Sequence, residues 1–451
     1  MSTATRIPQP DLRTIWSIAW PMMLAYSSVP LMGFASVAVM GHLEHPRYLG
    51  GVGLATNFFA FFYFVFAFIR WSTAGMSAQA RGRLVAFGGH NDLPVILTRS
   101  LTLALGIGAI LILLSAPLTH LLFGALTADP ALGREAELYA RLRLFGAPAL
   151  LGTYAMTGWF VGSGRPRAVM VMTIGANLTN VVLLLFFIHG LGMRSAGAGL
   201  AAALGEWTGL LLGAGAIWLG GGLRGGRFGM AELFDRPAWR RLFSANGHVL
   251  LKTLFTIVIF IGFLAISGHF APDVLAANLI LMQLFYLASY AFDGFANACE
   301  TIAGQAEGAG QSDLGHQALA RCCQCALVVA GLFAIAYGLG GPALIRALTD
   351  IESVRTEALR YYPWMVFIPI AQATSSIYDG VFVGTLRMRD LRNTTILGTL
   401  GSAALAGPLV WLFGNDGLWF SLASFFLIRQ AASWWVYSRP RHRAAAALPS
   451  G

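Results

Sequence analysis

The feature that most limits what this chain can fold into is a series of long apolar runs with almost no charge inside them. A helix needs about 20 apolar residues to cross the hydrocarbon core of a bilayer. Read from charge to charge, the runs fall near 13–41, 50–78, 94–118, 143–163, 168–189, 196–221, 243–268, 275–304, 318–345, 361–385, 393–413 and 417–438. They do not alternate polar and apolar residues over about ten positions, as strands of a membrane β-barrel would. The expectation is an all-α integral membrane protein of about 12 transmembrane helices. Composition excludes the soluble alternative. Of 451 residues, 57% are hydrophobic and 11% charged, whereas soluble domains carry about a quarter charged residues. Such a chain could not cover a water-facing surface with polar groups. Its 53 glycines suit close helix packing in lipid.

The net charge of +10 argues for topology rather than for nucleic acid, because the arginines sit in the short gaps between runs. The odd-numbered gaps hold fewer, among them Arg47, Arg134, Arg194, Arg346 and Arg355. The even gaps and both tails hold seventeen, among them Arg81, Arg83, Arg165, Arg167, Arg240, Arg241, Arg387 and Arg389. Both termini are therefore expected in the cytoplasm of a multi-pass protein of the inner (plasma) membrane. The even gap at 222–242 reads as a linker between two halves, 1–221 and 243–451. Its Gly220-Gly221-Gly222-Leu223-Arg224-Gly225 matches the GxGxxG spacing of dinucleotide sites. It follows a span rather than a strand, so no such site is expected. Residues 1–13 carry Pro8 and Pro10 without a cleavage motif, so the first run is expected to stay as a helix. Cys299, Cys322, Cys323 and Cys325 lack metal-site spacing and read as small helix-packing residues.

The halves repeat each other. Gly41-His42 with Pro46 returns as Gly268-His269 with Pro272. Ala78-Gln79-Ala80-Arg81-Gly82 returns as Gly304-Gln305-Ala306-Glu307-Gly308. Trp159-Phe160-Val161-Gly162 with Arg165 and Arg167 returns as Val381-Phe382-Val383-Gly384 with Arg387 and Arg389. The offset stays between 222 and 227 residues. Six spans per half place both repeats in parallel, as two pseudo-symmetric six-helix bundles about an axis along the membrane normal. That architecture lets two bundles rock around a shared cavity.

With this organisation, the chain resembles the multidrug and toxic compound extrusion (MATE) family, and most of all its branch named after DNA-damage-inducible protein F. The resemblance rests on Trp20-Pro21-Met22, Pro30-Leu31-Met32-Gly33 and Val39-Met40-Gly41-His42-Leu43 in span 1. Ser72-Thr73-Ala74-Gly75 with Gln79-Ala80 adds span 2. Tyr290-Ala291-Phe292-Asp293-Gly294-Phe295-Ala296 with Glu300 and Gly304-Gln305-Ala306 adds span 8, and Asp379-Gly380 with Gly384 adds span 10. The resemblance implies secondary active efflux without ATP. Protons or Na⁺ move inward and drive drug-like, often cationic or aromatic, compounds outward. Many members of the branch carry an aspartate in span 1 shortly before Val-x-Gly-His, a proposed coupling group, where this chain has Ser36. Coupling here must then rest elsewhere.

A charge at the bilayer centre costs roughly 2.5–3.5 kcal/mol on insertion scales, so each one needs a reason. Asp293 and Glu300 share one helix face, two turns or about 10 Å apart. Asp379 lies in span 10 where the repeat places Thr157, so the carboxylates concentrate in the second half. Glu206 lies in span 6, Arg70 in span 2 and Arg429 in span 12. A cluster of Asp293, Glu300 and Asp379 could exchange a proton or Na⁺ for a cationic substrate, because burial and neighbouring carboxylates favour the protonated form. The same residues also read as structural pairs, with Asp293 or Glu300 neutralised by an arginine or capped by Asn297. Gln79 and Gln305 are expected to satisfy backbone at helix ends. Lys252 is expected near an interface, reaching out to water. Phe-rich stretches such as Phe62-Tyr63-Phe64-Val65-Phe66 pack or face lipid, and a few could line a cavity for flat cations.

Three functions compete. A cation-coupled exporter, acting as a monomer on a small molecule with H⁺ or Na⁺ and no other cofactor, fits the buried acids. A flippase for a lipid-linked precursor would favour arginines in the cavity. A membrane-embedded enzyme would need a His/Asp or Ser/His constellation, and the histidines are scattered near span ends.

Overall fold

The apolar runs become helices almost end to end, and their starts are written in proline. Proline occupies the first turn of eight of them, from Pro46 to Pro363. There its missing N–H costs nothing and its fixed φ suits the helix. The computed structural model describes residues 7–41, 43, 45–127, 129–221 and 230–439. The first half contains α1 (Leu12–Gly41), α2 (Pro46–Val65), α3 (Phe68–Phe87), α4 (Leu93–Leu113), α5 (Ser115–Leu126), α6 (Pro130–Leu144), α7 (Ala147–Gly162), α8 (Pro166–Leu185) and α9 (Arg194–Leu219). The short α10 (Met230–Leu233) follows. The second half contains α11 (Arg236–Ser267), α12 (Pro272–Gly308), α13 (Ser312–Leu348), α14 (Glu352–Tyr361), α15 (Pro363–Gly384), α16 (Met388–Phe413) and α17 (Asn415–Ser438). The described residues contain no strand.

Ten runs, with α2 and α3 taken together, are long and apolar enough to cross a membrane. The pair α6–α7, bent by 52°, makes eleven. The twelfth is α17, which has the length, at 24 residues, but carries Asp416 and Arg429. Several spans differ from their expected bounds. Span 4 starts at Pro130 rather than 143, and span 10 at Glu352 rather than 361. Both begin with a polar helix, α6 or α14, that then turns into the apolar α7 or α15. Charge hides these turns from a reading based on apolar length, but local bonds hold them. Asp129 accepts from the Ala131 amide at 2.9 Å and caps α6.

The expected linker is only partly a loop. Residues 222–229, including most of the glycine motif, lie outside the described residues, as do Arg6, His42, Arg441 and Arg443. From Met230 onward the segment is helical, and Asp235 caps α11 by accepting from the Ala238 amide at 3.2 Å.

The repeat extends to turn chemistry. After α7, the Arg165 amide donates to Phe160 O at 2.7 Å, and after α15 the Arg387 amide donates to Phe382 O at 2.7 Å. The same helix-ending turn closes both elements. It needs a left-handed residue, supplied by Gly164 (φ +76°) in the first half and by Leu386 (φ +55°) in the second.

The cores show how the halves meet. One core mixes both, packing Ile15, Ile18 and Ala19 of α1 with Phe292, Phe295 and Ile302 of α12. Toward the odd-numbered gaps each half keeps its own core. One is built around Phe59, Phe123 and Tyr139, the other around Phe263, Phe285 and Trp419. The halves therefore join at the arginine-rich face and keep to themselves toward the other.

Candidate functional site

The long helix α12 runs through the junction, with α1 and α3 of the first half on one side and α15 of the second on the other. Glycines permit the approach. A Cβ on Gly82 would strike the backbone carbonyl of Gln305, and one on Gly308 would strike that of Gln79. These are the same contact repeated by the pseudo-twofold axis. Gln79 and Gln305 complete it. Gln305 Nε2 donates to Gly162 O at 2.9 Å across the halves, and Gln79 Nε2 donates to Gly384 O at 3.3 Å in the reverse sense. Each glutamine thus satisfies the last turn of a helix in the opposite half. Thr301 adds a bond to Val161 O at 2.9 Å.

Further along the seam lie the charges. Arg70 of α3 approaches Glu300 at 3.7 Å and hydrogen-bonds the Asn297 side-chain oxygen, both on α12. Asn297 in turn donates to Asp293 O at 2.5 Å and to the Tyr26 hydroxyl at 3.3 Å. Arg70 Nε and Glu300 Oε1 are buried without a hydrogen-bond partner. Within the second half, Asp379 of α15 faces Lys252 of α11 at 3.4 Å and is in contact with Arg429 of α17. Lys252 also sits 4.2 Å from the ring centroid of Trp71, across the seam in α3. It is 5% exposed, so it does not reach out to water as expected. The only lysine in the chain is instead a buried counter-ion, which repays its desolvation with a carboxylate and an aromatic face.

The sequence-derived site residues therefore divide. Asp293, Asn297, Glu300 and Arg70 come together at the seam. Asp379 joins a neighbouring cluster with Lys252 and Arg429. The three acids do not converge into one cation cage. Among the described residues no group of His, Cys, Asp or Glu has metal-holding geometry. Glu206 stands apart in the first half, 3.7 Å from Arg143, whose guanidinium lies over the rings of Phe59, Tyr63 and Tyr139. Ser36 bonds Met32 O of its own helix at 3.0 Å. Gln79 and Gln305 serve backbone at helix ends, but those ends belong to the other half. Sequence reasoning missed Lys252 and Arg143 as partners and left Arg429 unpaired. The available signal was the rule that a charge inside a span faces an opposite one.

Asp293 differs from the other buried acids. It is part-buried, and its carboxylate forms no ion pair or hydrogen bond among the described residues. Arg70, Lys252, Arg429 and Asp379 lie within its electrostatic reach.

A sequence model described as MatE matches residues 21–186 and 249–409, on both sides of the linker. The chain belongs to the MatE family. This MATE-family chain is 33% identical over 419 residues to DNA damage-inducible protein F of Escherichia coli (strain K12), covering 92% of this chain and 90% of the relative. Its fold matches a solved MATE in the bent conformation with TM-score 0.84 at 20% identity, over 95% of each chain. It matches the outward-facing conformation of a multidrug resistance MATE family transporter with TM-score 0.83 at 18% identity, also over 95% of each. MATE-family proteins are transporters and not enzymes, so the embedded-enzyme alternative is set aside.

Proposed function

We propose that this chain is a cation-coupled exporter that exchanges H⁺ or Na⁺ for drug-like, cationic or aromatic small molecules by alternating access, with Asp293 as the exchanging carboxylate. The observation that carries it is the contrast within the seam. Glu300 and Asp379 each have a cation within 4 Å, and Asp293 has none among the described residues. An acid with a fixed counter-ion has little reason to change its charge. An acid between two halves that move apart, with cations nearby but not bound to it, can trade a proton or Na⁺ for a positively charged passenger. The balance of arginines between gaps supports a cytoplasmic assignment for the closed face and for both termini. The relationship to bacterial transporters supports an inner membrane.

The test is transport in proteoliposomes under imposed proton or Na⁺ gradients, read with a panel of fluorescent cations. Wild-type protein accumulates a cation against its gradient, and Asp293→Asn does not. Gradient-driven transport by Asp293→Asn at the parental rate would remove Asp293 from the mechanism. A second reading, a flippase for a lipid-linked precursor, draws on one finding: Arg70, Lys252 and Arg429 equal the seam's acids in number. Passage of a labelled lipid-phosphate precursor in the same vesicles, with no cation export, would favour it.

A further inference from the structure

Beside the glutamine crossing, the arginine-rich face holds a cavity of about 850 Å³, within the size range of small-ligand pockets. Both halves build it. The ends of α3 and α4 supply Arg83 and Arg99, the start of α11 supplies Arg241 and His248, and the start of α16 supplies Arg389. Four acids also face it, and each is engaged. Asp92 pairs with Arg83 at 3.4 Å, Asp390 with Arg387 at 2.6 Å and Glu232 with His90 at 3.6 Å, while Asp235 caps α11. Three arginines remain without a carboxylate. Arg99 donates to the backbone carbonyl of Glu232, and its Nε is buried without a partner. Arg241 and Arg389 are exposed and have neither ion pair nor side-chain hydrogen bond among the described residues. Arg392 donates to His248 Nδ1 at 3.0 Å, which leaves the ring proton on Nε2 as a further donor.

The geometry points to a binding site for the phosphate headgroup of an anionic phospholipid. Unpaired guanidinium groups suit phosphate oxygens. The cavity is lined from the ends of α3, α4, α11 and α16, where the arginine-rich gaps meet the apolar spans and where lipid headgroups would lie. The segment that supplies part of its wall also carries exposed aromatics outside the lining, Phe234 at 64% and Phe243 at 55% exposure, with Trp239 stacked on Phe243. Aromatic rings beside arginines at this depth are how a surface meets an anionic leaflet. A soluble phosphate would satisfy the arginines but would leave the aromatics unused. Nothing about this site depends on what the seam carries.

The test follows thermal unfolding of the full-length protein in detergent as phosphatidylglycerol or phosphatidylcholine is added. Phosphatidylglycerol raises the melting temperature and phosphatidylcholine does not. Arg241→Gln with Arg389→Gln requires about 30-fold more phosphatidylglycerol for the same shift, for two lost charges. Arg134→Gln with Arg346→Gln, two charges removed from the opposite face, matches wild type. If the first double variant does not fold, each single variant is used, with about a fivefold increase expected. An unchanged lipid requirement in the Arg241 and Arg389 variants would overturn the site. So would an equal shift from inorganic phosphate, which would make the ligand soluble.

Discussion

Asp293 and Asp379 carry the same side chain under opposite circumstances, and their amides should behave differently. Asp293→Asn breaks no ion pair, so the variant should fold with wild-type thermal stability while losing gradient-driven transport. Asp379→Asn leaves Lys252 and Arg429 buried without their carboxylate. Uncompensated buried charge costs about 3–5 kcal/mol, so this variant should unfold at a clearly lower temperature, and transport loss alone would not identify a functional role. Pairing Lys252→Met with Asp379→Asn should recover part of that loss. Purely additive effects in the resulting double-mutant cycle, followed by thermal unfolding, would show that the pair contributes nothing. The sequence exposed every one of these charges, because each interrupts an apolar run. Grouping them was harder. Spacing along α12 reveals that Asp293 and Glu300 share a face, but no periodicity tells which of three other helices brings a guanidinium or an ammonium to the acids.

At the scale of elements, α3 and α12 cross at the pseudo-twofold axis through matched glycines. Gly82→Leu and Gly308→Leu should each force the halves apart on the arginine-rich face. By symmetry their effects should be similar. Labelling of a cysteine introduced at Met76 should rise in both variants, and unchanged labelling in either would show that the contact does not close this face. The turns after α7 and α15 give a less symmetric pair. Replacing Gly164 by leucine puts a side chain into a left-handed conformation at a cost of about 1–2 kcal/mol, seen as a lower melting temperature. Leu386 already bears that cost. Leu386→Gly should be near neutral in stability, since relief of strain offsets the lost packing of the leucine against Gly75. The repeat itself was legible from three short blocks at nearly constant offset. The polar helices α6 and α14 were not, because their charges remove them from any count based on hydropathy.

For the whole molecule, a shared core at one face and separate cores at the other are what the proposed tilting of two bundles about their common seam requires. Gln79→Cys with Gln305→Cys puts one thiol at each of the two matched contacts of the crossing and adds no side chain where a glycine is required. Joining them with a reducible bifunctional thiol reagent should stop transport, and reduction should restore it. Transport by the fully cross-linked protein at the reduced rate would rule out tilting at this contact. The all-helical architecture at this scale followed directly from run length, since lipid leaves a chain few other ways to satisfy its backbone.

The exchanged glutamine bonds also bear on biosynthesis. The Gly162 carbonyl leaves the ribosome 143 residues ahead of the Gln305 amide that satisfies it, and Gln79 precedes its acceptor at Gly384 by 305 residues. A newly inserted first half therefore waits in the bilayer with polar groups meant for a partner not yet made. A nascent chain cut short before α12 would keep them unsatisfied.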